Sequence, residues 1–184
     1  RLQALYEYDI LDSAEEKAFN DLAQLASYIC NTPISLVTFI DRYRQWFKAR
    51  KNIADTETPL DISFCAYAIQ QNEVFIVEDA TKDERFKDFS NVTGGIQVRF
   101  YAGSPVRSAD GVNIGTLCVV DTKPRHLTPA QQDALKQLAN QASQLLELQR
   151  ANKRLAKESS KLMQGVESYR EFFENSPVPQ WIVD

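Results

Sequence analysis

The fold is decided by residues 99–121, which read RFYAGSPVRSADGVNIGTLCVVD. Two runs rich in β-branched and aromatic residues flank the short polar segment SADG, a pattern that predicts a β-hairpin. Asp110 and Gly111 are predicted to supply the positive φ angles that such a turn needs. The second arm, Ile114 to Val120, is apolar almost throughout. We therefore expect both of its faces to be covered and the hairpin to lie in the middle of an antiparallel sheet.

The segments before the hairpin add strands and helices to it. Apolar runs predict strands at residues 34–40, 46–50 and 74–77, and the polar segment 51–60 is predicted to be a loop. Helices bracket these strands and do not alternate with them one for one. This order favours an α+β domain with an antiparallel sheet over a doubly wound parallel sheet.

Two capping-box patterns mark helix starts. The first is Ser13 with Glu16, and the second is Thr128 with Gln131 around a proline at the first helical position. No glycine follows the second start until Gly165. The pattern thus predicts one long helix after the sheet.

Composition limits the classes of function. The chain has 184 residues, 43% of them hydrophobic, and a formal net charge of −4, which argues against nucleic-acid binding. No apolar run approaches the roughly 18 residues of a membrane span, so no membrane contact is expected from this sequence. It begins without Met and stops inside an apolar run, and we expect it to be part of a longer, cytoplasmic protein.

The three cysteines, Cys30, Cys65 and Cys118, are far apart in the sequence and surrounded by apolar residues. We interpret them as reduced core residues. Cys30 and Cys118 are expected to be buried, with no cysteine pair within disulfide range, roughly 7 Å between Cα atoms. The single histidine, His126, and the lack of a Cys-x-x-Cys motif provide no metal signature.

Several motifs together resemble those of bacterial GAF domains, of the kind found in sensor histidine kinases and cyclic-dinucleotide signalling proteins. They occur in the expected order along residues 1–148: ILDS (10–13), RQWFKA (44–49), SFCA (63–66), VEDA (77–80), DERF (83–86), RFYAG (99–103) and IGTLCVVD (114–121). The resemblance implies a sheet of about six strands with helices on one face and a small-molecule pocket on the other.

By family position, the resemblance implies a set of ligand-binding residues. The pocket walls would be Trp46, Phe47, Phe64, Cys65, Ile69, Phe86, Phe100, Tyr101 and Cys118, and the charged residues Asp79, Arg99 and Asp121 would orient the ligand. Ordinary core packing of the aromatic residues, and pairing or exposure of the charges, is the alternative. The resemblance identifies no cofactor, because Cys65 lacks the neighbouring histidine of bilin-binding members and no heme or metal signature is present.

Residues 168–184 resemble the opening of a PAS domain. The predicted organisation is therefore a GAF sensory domain at 1–148, a coiled-coil linker at 149–167 and the start of a PAS domain at 168–184. The apolar spacing of the long helix predicts a parallel homodimer. Its contacts would be Leu138, Leu145, Leu148, Asn152, Leu155, Leu162, Val166 and Tyr169.

These features predict a sensory module that is not itself an enzyme. It would bind a small ligand or dimerise, and pass a signal through the helix to a PAS domain and an output enzyme, most simply a histidine kinase. The alternatives are a sensor of a diguanylate cyclase, a thiol-dependent small-molecule reductase that uses Cys65 and Cys118, and a bilin or heme photosensor.

Overall fold

A computed structural model describes residues 1–175 of the chain. Its centre is a six-stranded antiparallel sheet with the strand order β3-β2-β1-β6-β5-β4, so the predicted α+β class is confirmed. The strands are β1 (Ile34–Ile40), β2 (Arg44–Lys51), β3 (Glu57–Pro59), β4 (Phe75–Val77), β5 (Phe100–Arg107) and β6 (Asn113–Asp121). The helices are α1 (Leu2–Tyr6), α2 (Lys17–Cys30), α3 (Phe64–Ala68), α4 (Ser90–Thr93) and α5 (Pro129–Asn175).

The predicted hairpin is confirmed. β5 and β6 pair from Phe100 opposite Asp121 to Arg107 opposite Asn113, and β6 lies between β5 and β1. Only Gly111 of the turn has a positive φ, at 76°. The prediction that Asp110 shares this conformation is wrong, because one left-handed residue is enough to close the loop.

The centre of the sheet depends on a close approach between backbones. A Cβ atom added to Gly115 would lie 2.1 Å from the carbonyl oxygen of Thr38 on the neighbouring strand. No side chain fits in that space, so glycine at this position lets β1 and β6 pair at their normal spacing.

Side chains alternate between two faces of the sheet, as strand geometry requires. One face is covered by α1, α2 and the first part of α5, and we call it the helix face. Its core includes Phe19, Val37, Leu117, Val119 and Leu135. The opposite face is covered by α3, α4 and loops, and we call it the loop face. Its core includes Leu36, Phe64, Tyr101, Cys118 and Val120.

The two predicted capping boxes have different outcomes. The Thr128 hydroxyl accepts from Gln131 N–H at 3.3 Å, and Gln131 Oε1 accepts from Thr128 N–H at 3.0 Å, which confirms the second box. The first box is wrong, because α2 begins at Lys17 after an N-cap residue without a side-chain cap. The Ser13 hydroxyl instead donates to a backbone carbonyl and accepts from the buried Lys48 ammonium at 2.8 Å.

One strand is absent from the sequence prediction. β3 lies in the segment 51–60, which is predicted to be a loop, and it pairs with residues 44–46 at the edge of the sheet. Its three residues are too few to show the alternation by which strands are recognised.

The long helix predicted after the sheet is α5. The described chain divides into two compact units, Arg1–Glu147 and the part of α5 from Leu148 onward. The helical beginning of the predicted PAS segment falls within α5, and its strand lies outside the described residues. No helix among residues 1–175 has the length and hydropathy needed to cross a bilayer.

Candidate functional site

The loop face contains a half-enclosed cavity of about 60 Å³ between the sheet and the segments that cover it. This volume exceeds the roughly 10–15 Å³ that one ordered water needs. It is well below the roughly 300 Å³ at which pockets for drug-sized ligands begin. The cavity therefore suits a molecule of a few heavy atoms.

Strands supply the floor of the cavity, and loops and short helices supply its rim. The lining residues are Leu36, Gln45, Phe47, Ile53, Thr58, Ile62, Phe64, Cys65, Asn91, Ile96, Val98, Tyr101, Cys118 and Val120. Asn91 in α4 and Ile96 in the following loop are among the rim residues.

Two cysteine thiols and a tyrosine hydroxyl meet at the cavity, Cys118 and Tyr101 from the strands of the floor and Cys65 from α3. The Sγ atoms of Cys65 and Cys118 are 3.7 Å apart, and the Tyr101 hydroxyl donates to Cys65 Sγ at 3.2 Å. All three side chains are buried. The prediction that Cys118 is buried is thus confirmed. The two thiols are neighbours, and the absence of a pair within disulfide range, roughly 7 Å between Cα atoms, stays a prediction.

The environment of the pair shifts the pKa values of the two thiols in opposite directions. Burial alone raises the pKa of the Cys65 thiol, but hydrogen bonds from Cys118, Thr116 and Tyr101 outweigh it and lower that pKa below its ordinary value. The hydrogen bond with Cys65, together with burial, raises the pKa of Cys118 well above its ordinary value. Cys65 is therefore the thiol of the pair that ionises first.

The absence of a side chain at Gly103 leaves space for the Tyr101 hydroxyl. A Cβ atom added to Gly103 would lie 2.2 Å from the Tyr101 hydroxyl oxygen. The Tyr101 ring stacks on Phe64 with centroids 5.2 Å apart and planes inclined by 22°. Together these contacts hold the hydroxyl over Cys65.

Asn91, one of the lining residues, has a side-chain polar atom without a partner. The Asn91 side chain donates its amide N–H to the Ile62 carbonyl at 3.0 Å. Its Oδ1 atom is buried, and among the described residues it has no hydrogen-bond partner. A buried acceptor without a partner is costly, so a ligand that donates a hydrogen bond would compensate for it.

Five of the residues named from the sequence line the cavity: Phe47, Phe64, Cys65, Tyr101 and Cys118. Phe86 and Ile69 belong to the loop-face core but not to the cavity lining. Trp46 and Phe100 lie on the helix face, because their positions alternate with those of Phe47 and Tyr101.

The three charged residues lie outside the cavity lining and have local partners. Asp79 accepts from the Thr81 hydroxyl and backbone, and Asp121 forms an ion pair with Arg125. Arg99 donates to the carbonyl of Val92 at 2.8 Å.

Other lining residues were not predicted from the sequence. They are Leu36, Gln45, Ile53, Thr58, Ile62, Asn91, Ile96, Val98 and Val120. Strand alternation from Cys118 identifies Val120, and alternation from Phe47 identifies Gln45. Asn91 comes from the four-residue α4 and Ile96 from the loop after it, and both segments are too short or irregular for a periodic signal.

Comparison with known proteins agrees with this architecture. A family model described as GAF domain matches residues 14–146. A cyclic di-GMP phosphodiesterase of Pseudomonas aeruginosa is 43% identical over 116 residues, which are 63% of this chain and 20% of that protein. The chain thus spans about a fifth of the length of this curated relative.

Solved structures share the fold. The GAF domain of an Acinetobacter phosphoenolpyruvate-protein phosphotransferase matches with a TM-score of 0.61 and 18% identity over 83% of this chain and 93% of its own. The PixJ GAF domain of Thermosynechococcus elongatus, in a blue-light absorbing form, matches with a TM-score of 0.62 and 17% identity. The match covers 89% of this chain and 97% of the PixJ domain. At this level of identity the likeness concerns the fold alone.

Proposed function

Because the chain belongs to the GAF family, we propose that it is the non-catalytic sensory module of a bacterial signal-transduction protein. In this proposal the loop-face cavity binds a small ligand, and α5 passes the bound state toward a PAS domain and an output enzyme. Three free thiols suit a cytoplasmic location, where cysteines stay reduced.

The observation that carries this proposal is the cavity with the unpaired Asn91 Oδ1 at its rim. The atom accepts only from a hydrogen-bond donor, and the volume of about 60 Å³ admits only a few heavy atoms. The proposed ligand is therefore a small molecule with an N–H or O–H group. A bilin or a cyclic dinucleotide would extend well beyond the enclosed part of this cavity.

Two classes of output enzyme are proposed. The motifs resemble those of sensor histidine kinases, which makes a kinase the first candidate. The Pseudomonas aeruginosa relative joins a similar domain to cyclic di-GMP phosphodiesterase activity, which favours an enzyme of cyclic-dinucleotide turnover as the second.

We also propose that the second unit of α5 pairs with a second copy of the chain in a parallel coiled coil. Leucines recur every seventh residue at 148, 155 and 162, with 57%, 63% and 71% of their surface exposed. Asn152, Ser159 and Val166 occupy the alternate seam positions. Leucine at one seam position and a single asparagine at the other favour parallel two-stranded pairing, and the polar Asn152 and Ser159 make the seam weak. Leu138 and Leu145 pack partly against the helix-face core.

The ligand proposal is tested by NMR titration of the isotope-labelled chain with acetamide and with acetone. Both probes have a similar shape, but only acetamide donates a hydrogen bond to Asn91 Oδ1. One hydrogen bond corresponds to roughly a fivefold to tenfold difference in affinity. Acetamide is expected to shift the amide signals of Val98, Tyr101 and Cys118 at lower concentrations than acetone.

Two variants control this titration. Val98→Phe fills the cavity and is expected to abolish the shifts, whereas Ile29→Phe adds the same ring at an exposed position of α2 and leaves them unchanged. Equal responses to both probes, or shifts that survive Val98→Phe, would contradict the proposal.

Sedimentation tests the pairing. The wild-type chain is expected to be a dimer at micromolar concentration, and Leu155→Lys a monomer because the lysine places a charge in the seam. The matched control Ser160→Lys adds the same charge at an exposed position off the seam and is expected to remain dimeric. A wild-type monomer excludes the pairing.

The thiol-dependent reductase is the rival proposal, and the Cys65–Cys118 pair is the observation in its favour. Burial of both thiols opposes it, since a substrate has little direct access to them. Catalytic turnover of a sulfoxide substrate that Cys65→Ser abolishes would favour the reductase.

A further inference from the structure

The Cys65–Cys118 pair joins two elements that are distant in sequence. Cys65 lies in the first turn of α3, and Cys118 lies in the middle of β6, the strand between β1 and β5. Their Sγ atoms are 3.7 Å apart, whereas a disulfide requires about 2.05 Å. The two Sγ atoms must therefore move less than about 2 Å closer together to form a disulfide bond.

Hydrogen bonding distinguishes this pair from an ordinary pair of core cysteines. The Tyr101 hydroxyl donates to Cys65 Sγ at 3.2 Å, and burial raises the pKa of Tyr101 so that it keeps its proton. The stacked Phe64 ring and the space above Gly103 fix the position of this hydroxyl. Cys65 is therefore the thiol prepared to react as a thiolate.

Cys30 provides an internal comparison. It is also buried, but it lies in the helix-face core, where burial raises its pKa to about 11. It does not line the cavity. The three cysteines thus differ in access and in hydrogen bonding, while all of them are buried.

We propose that Cys65 and Cys118 form a reversible disulfide when a hydroperoxide enters the loop-face cavity. The inference rests on the proposed function in one respect, since it uses the same cavity as the ligand. A hydroperoxide such as hydrogen peroxide has few heavy atoms and fits the volume of about 60 Å³.

The chemistry proceeds in two steps. The Cys65 thiolate attacks one peroxide oxygen, the O–O bond breaks, and the leaving hydroxide or alkoxide takes up a proton, which leaves Cys65 as a sulfenic acid. The Cys118 sulfur then attacks Cys65 Sγ, the S–O bond breaks, and the oxygen leaves as water with the Cys118 proton. Two thiols are oxidised to one disulfide, and the hydroperoxide is reduced to an alcohol or water. A thiol reductant reverses the change.

Disulfide formation would regulate the ligand site directly. Bringing the two sulfurs together draws the start of α3 toward β6, and both residues are part of the cavity lining. The oxidised cavity is expected to be smaller, so acetamide binding should weaken at least tenfold after oxidation.

Intact-mass analysis and peptide mapping of the full chain after treatment with hydrogen peroxide test the proposal. Cleavage after lysine and arginine places the three cysteines in separate peptides, residues 18–42, 52–82 and 108–125. The expected product lacks two hydrogen atoms and contains the second and third peptides cross-linked. Dithiothreitol is expected to restore the original mass.

Variants separate the role of each residue. Cys30→Ser is expected to cross-link like the wild type. Cys118→Ser is expected to stop at a sulfenic acid on Cys65 that a dimedone reagent traps, and Cys65→Ser to resist oxidation. Tyr101→Phe is expected to slow the reaction roughly tenfold and to shift its pH dependence upward, because the thiolate loses a charge-assisted hydrogen bond.

The cavity route has its own control. Val98→Phe is expected to slow cross-linking at least tenfold, and the exposed Ile29→Phe to leave its rate unchanged. Failure of the wild-type chain to cross-link, or cross-links that involve Cys30, would overturn the inference. An unchanged rate in Val98→Phe would overturn the cavity route. The ligand proposal is tested by acetamide binding to the reduced chain, and the disulfide by cross-linking without acetamide, so the two proposals fail independently.

Discussion

The two faces of the sheet are covered by different kinds of structure. On the helix face, the long helices α2 and α5 pack against the strands in a largely aliphatic core. On the loop face, the five-residue α3, the four-residue α4 and loops cover a cluster rich in aromatic rings and leave the cavity open. Long helices present regular rows of side chains that fill the grooves of a sheet, whereas short segments leave gaps. The binding site is therefore expected where the cover is irregular.

Truncation of a leucine on each face tests this contrast most strongly. Leu117 and Leu36 lie on neighbouring strands, and Leu36 borders the cavity. Leu117→Ala is expected to lower the free energy of unfolding by about 4 kcal/mol and Leu36→Ala by about 2 kcal/mol, because Leu36 has fewer contacts to lose. Urea unfolding measures both values, and equal losses would mean that the faces are equally well packed.

The next largest effect concerns the charge that the helix face buries. The Lys48 ammonium bonds to Ser13 Oγ, to the Ala14 carbonyl and to Glu16 at 2.6–2.8 Å, and its side chain is fully buried. Lys48→Met leaves these acceptors unpaired and is expected to cost about 2–3 kcal/mol of unfolding free energy. The matched variant Arg50→Met removes a more exposed ion pair with Glu15 and is expected to change stability by less than about 0.5 kcal/mol.

Alkaline pH separates the cysteines of the two faces. Burial raises the pKa of Cys30 from 9.0 to about 11. Below about pH 9 the Cys30 thiol is neutral in both the folded and the unfolded chain. Between about pH 9 and pH 11 it ionises mainly in the unfolded chain. Stability is therefore lost as pH rises, by about 1.4 kcal/mol at roughly pH 10.

Cys30→Ala is expected to remove this part of the alkaline decline in urea unfolding. Cys65 has the opposite effect on the pH dependence of stability. Because its pKa is lowered in the folded chain, its ionisation stabilises the folded chain as pH rises. A Cys65→Ser chain should therefore decline more steeply with pH than the wild type. Parallel profiles for all three chains would show that the thiols on the two faces have the same environment.

Adding one methyl group gives the smallest expected effect. Val119 and Val120 are adjacent in β6, but Val119 faces the helix core and Val120 borders the cavity. Val119→Ile is expected to destabilise the domain by about 1–2 kcal/mol through overpacking. Val120→Ile is expected to be neutral or to stabilise it by up to about 1 kcal/mol, since it fills empty space. Thermal unfolding compares them, and a reversed order would contradict the assignment of the faces.

Local patterns predicted the fold well where the relevant contacts are local. The β5–β6 hairpin and the Thr128 capping box involve residues close in sequence, and both are confirmed. The Ser13 box has the same pattern, but Lys48 bonds to its hydroxyl from a distant strand. Such a long-range contact leaves no trace in the residues around the helix start.

The candidate site was less predictable for a related reason. Its strand residues follow strand alternation, whereas Asn91 lies in the four-residue α4 and Ile96 in a loop, and neither segment has a periodic pattern. The proximity of Cys65 and Cys118 depends on how α3 lies on β6, and sequence spacing does not determine this arrangement. Strand alternation in β6 indicates only that Cys118 lies on the same face as Val120.

The space above Gly103 has a consequence for how this site can change by mutation. An alanine Cβ at that position would lie 2.2 Å from the Tyr101 hydroxyl oxygen, so Gly103→Ala is severe while the hydroxyl is present. The same Cβ would also lie 2.7 Å from Cζ and 3.0 Å from Cε1 of the Tyr101 ring, so Tyr101→Phe alone does not clear the space. The two positions are therefore epistatic. An aromatic ring held in this place at position 101 restricts position 103 to glycine, and position 103 gains a side chain only after the ring has moved or been lost.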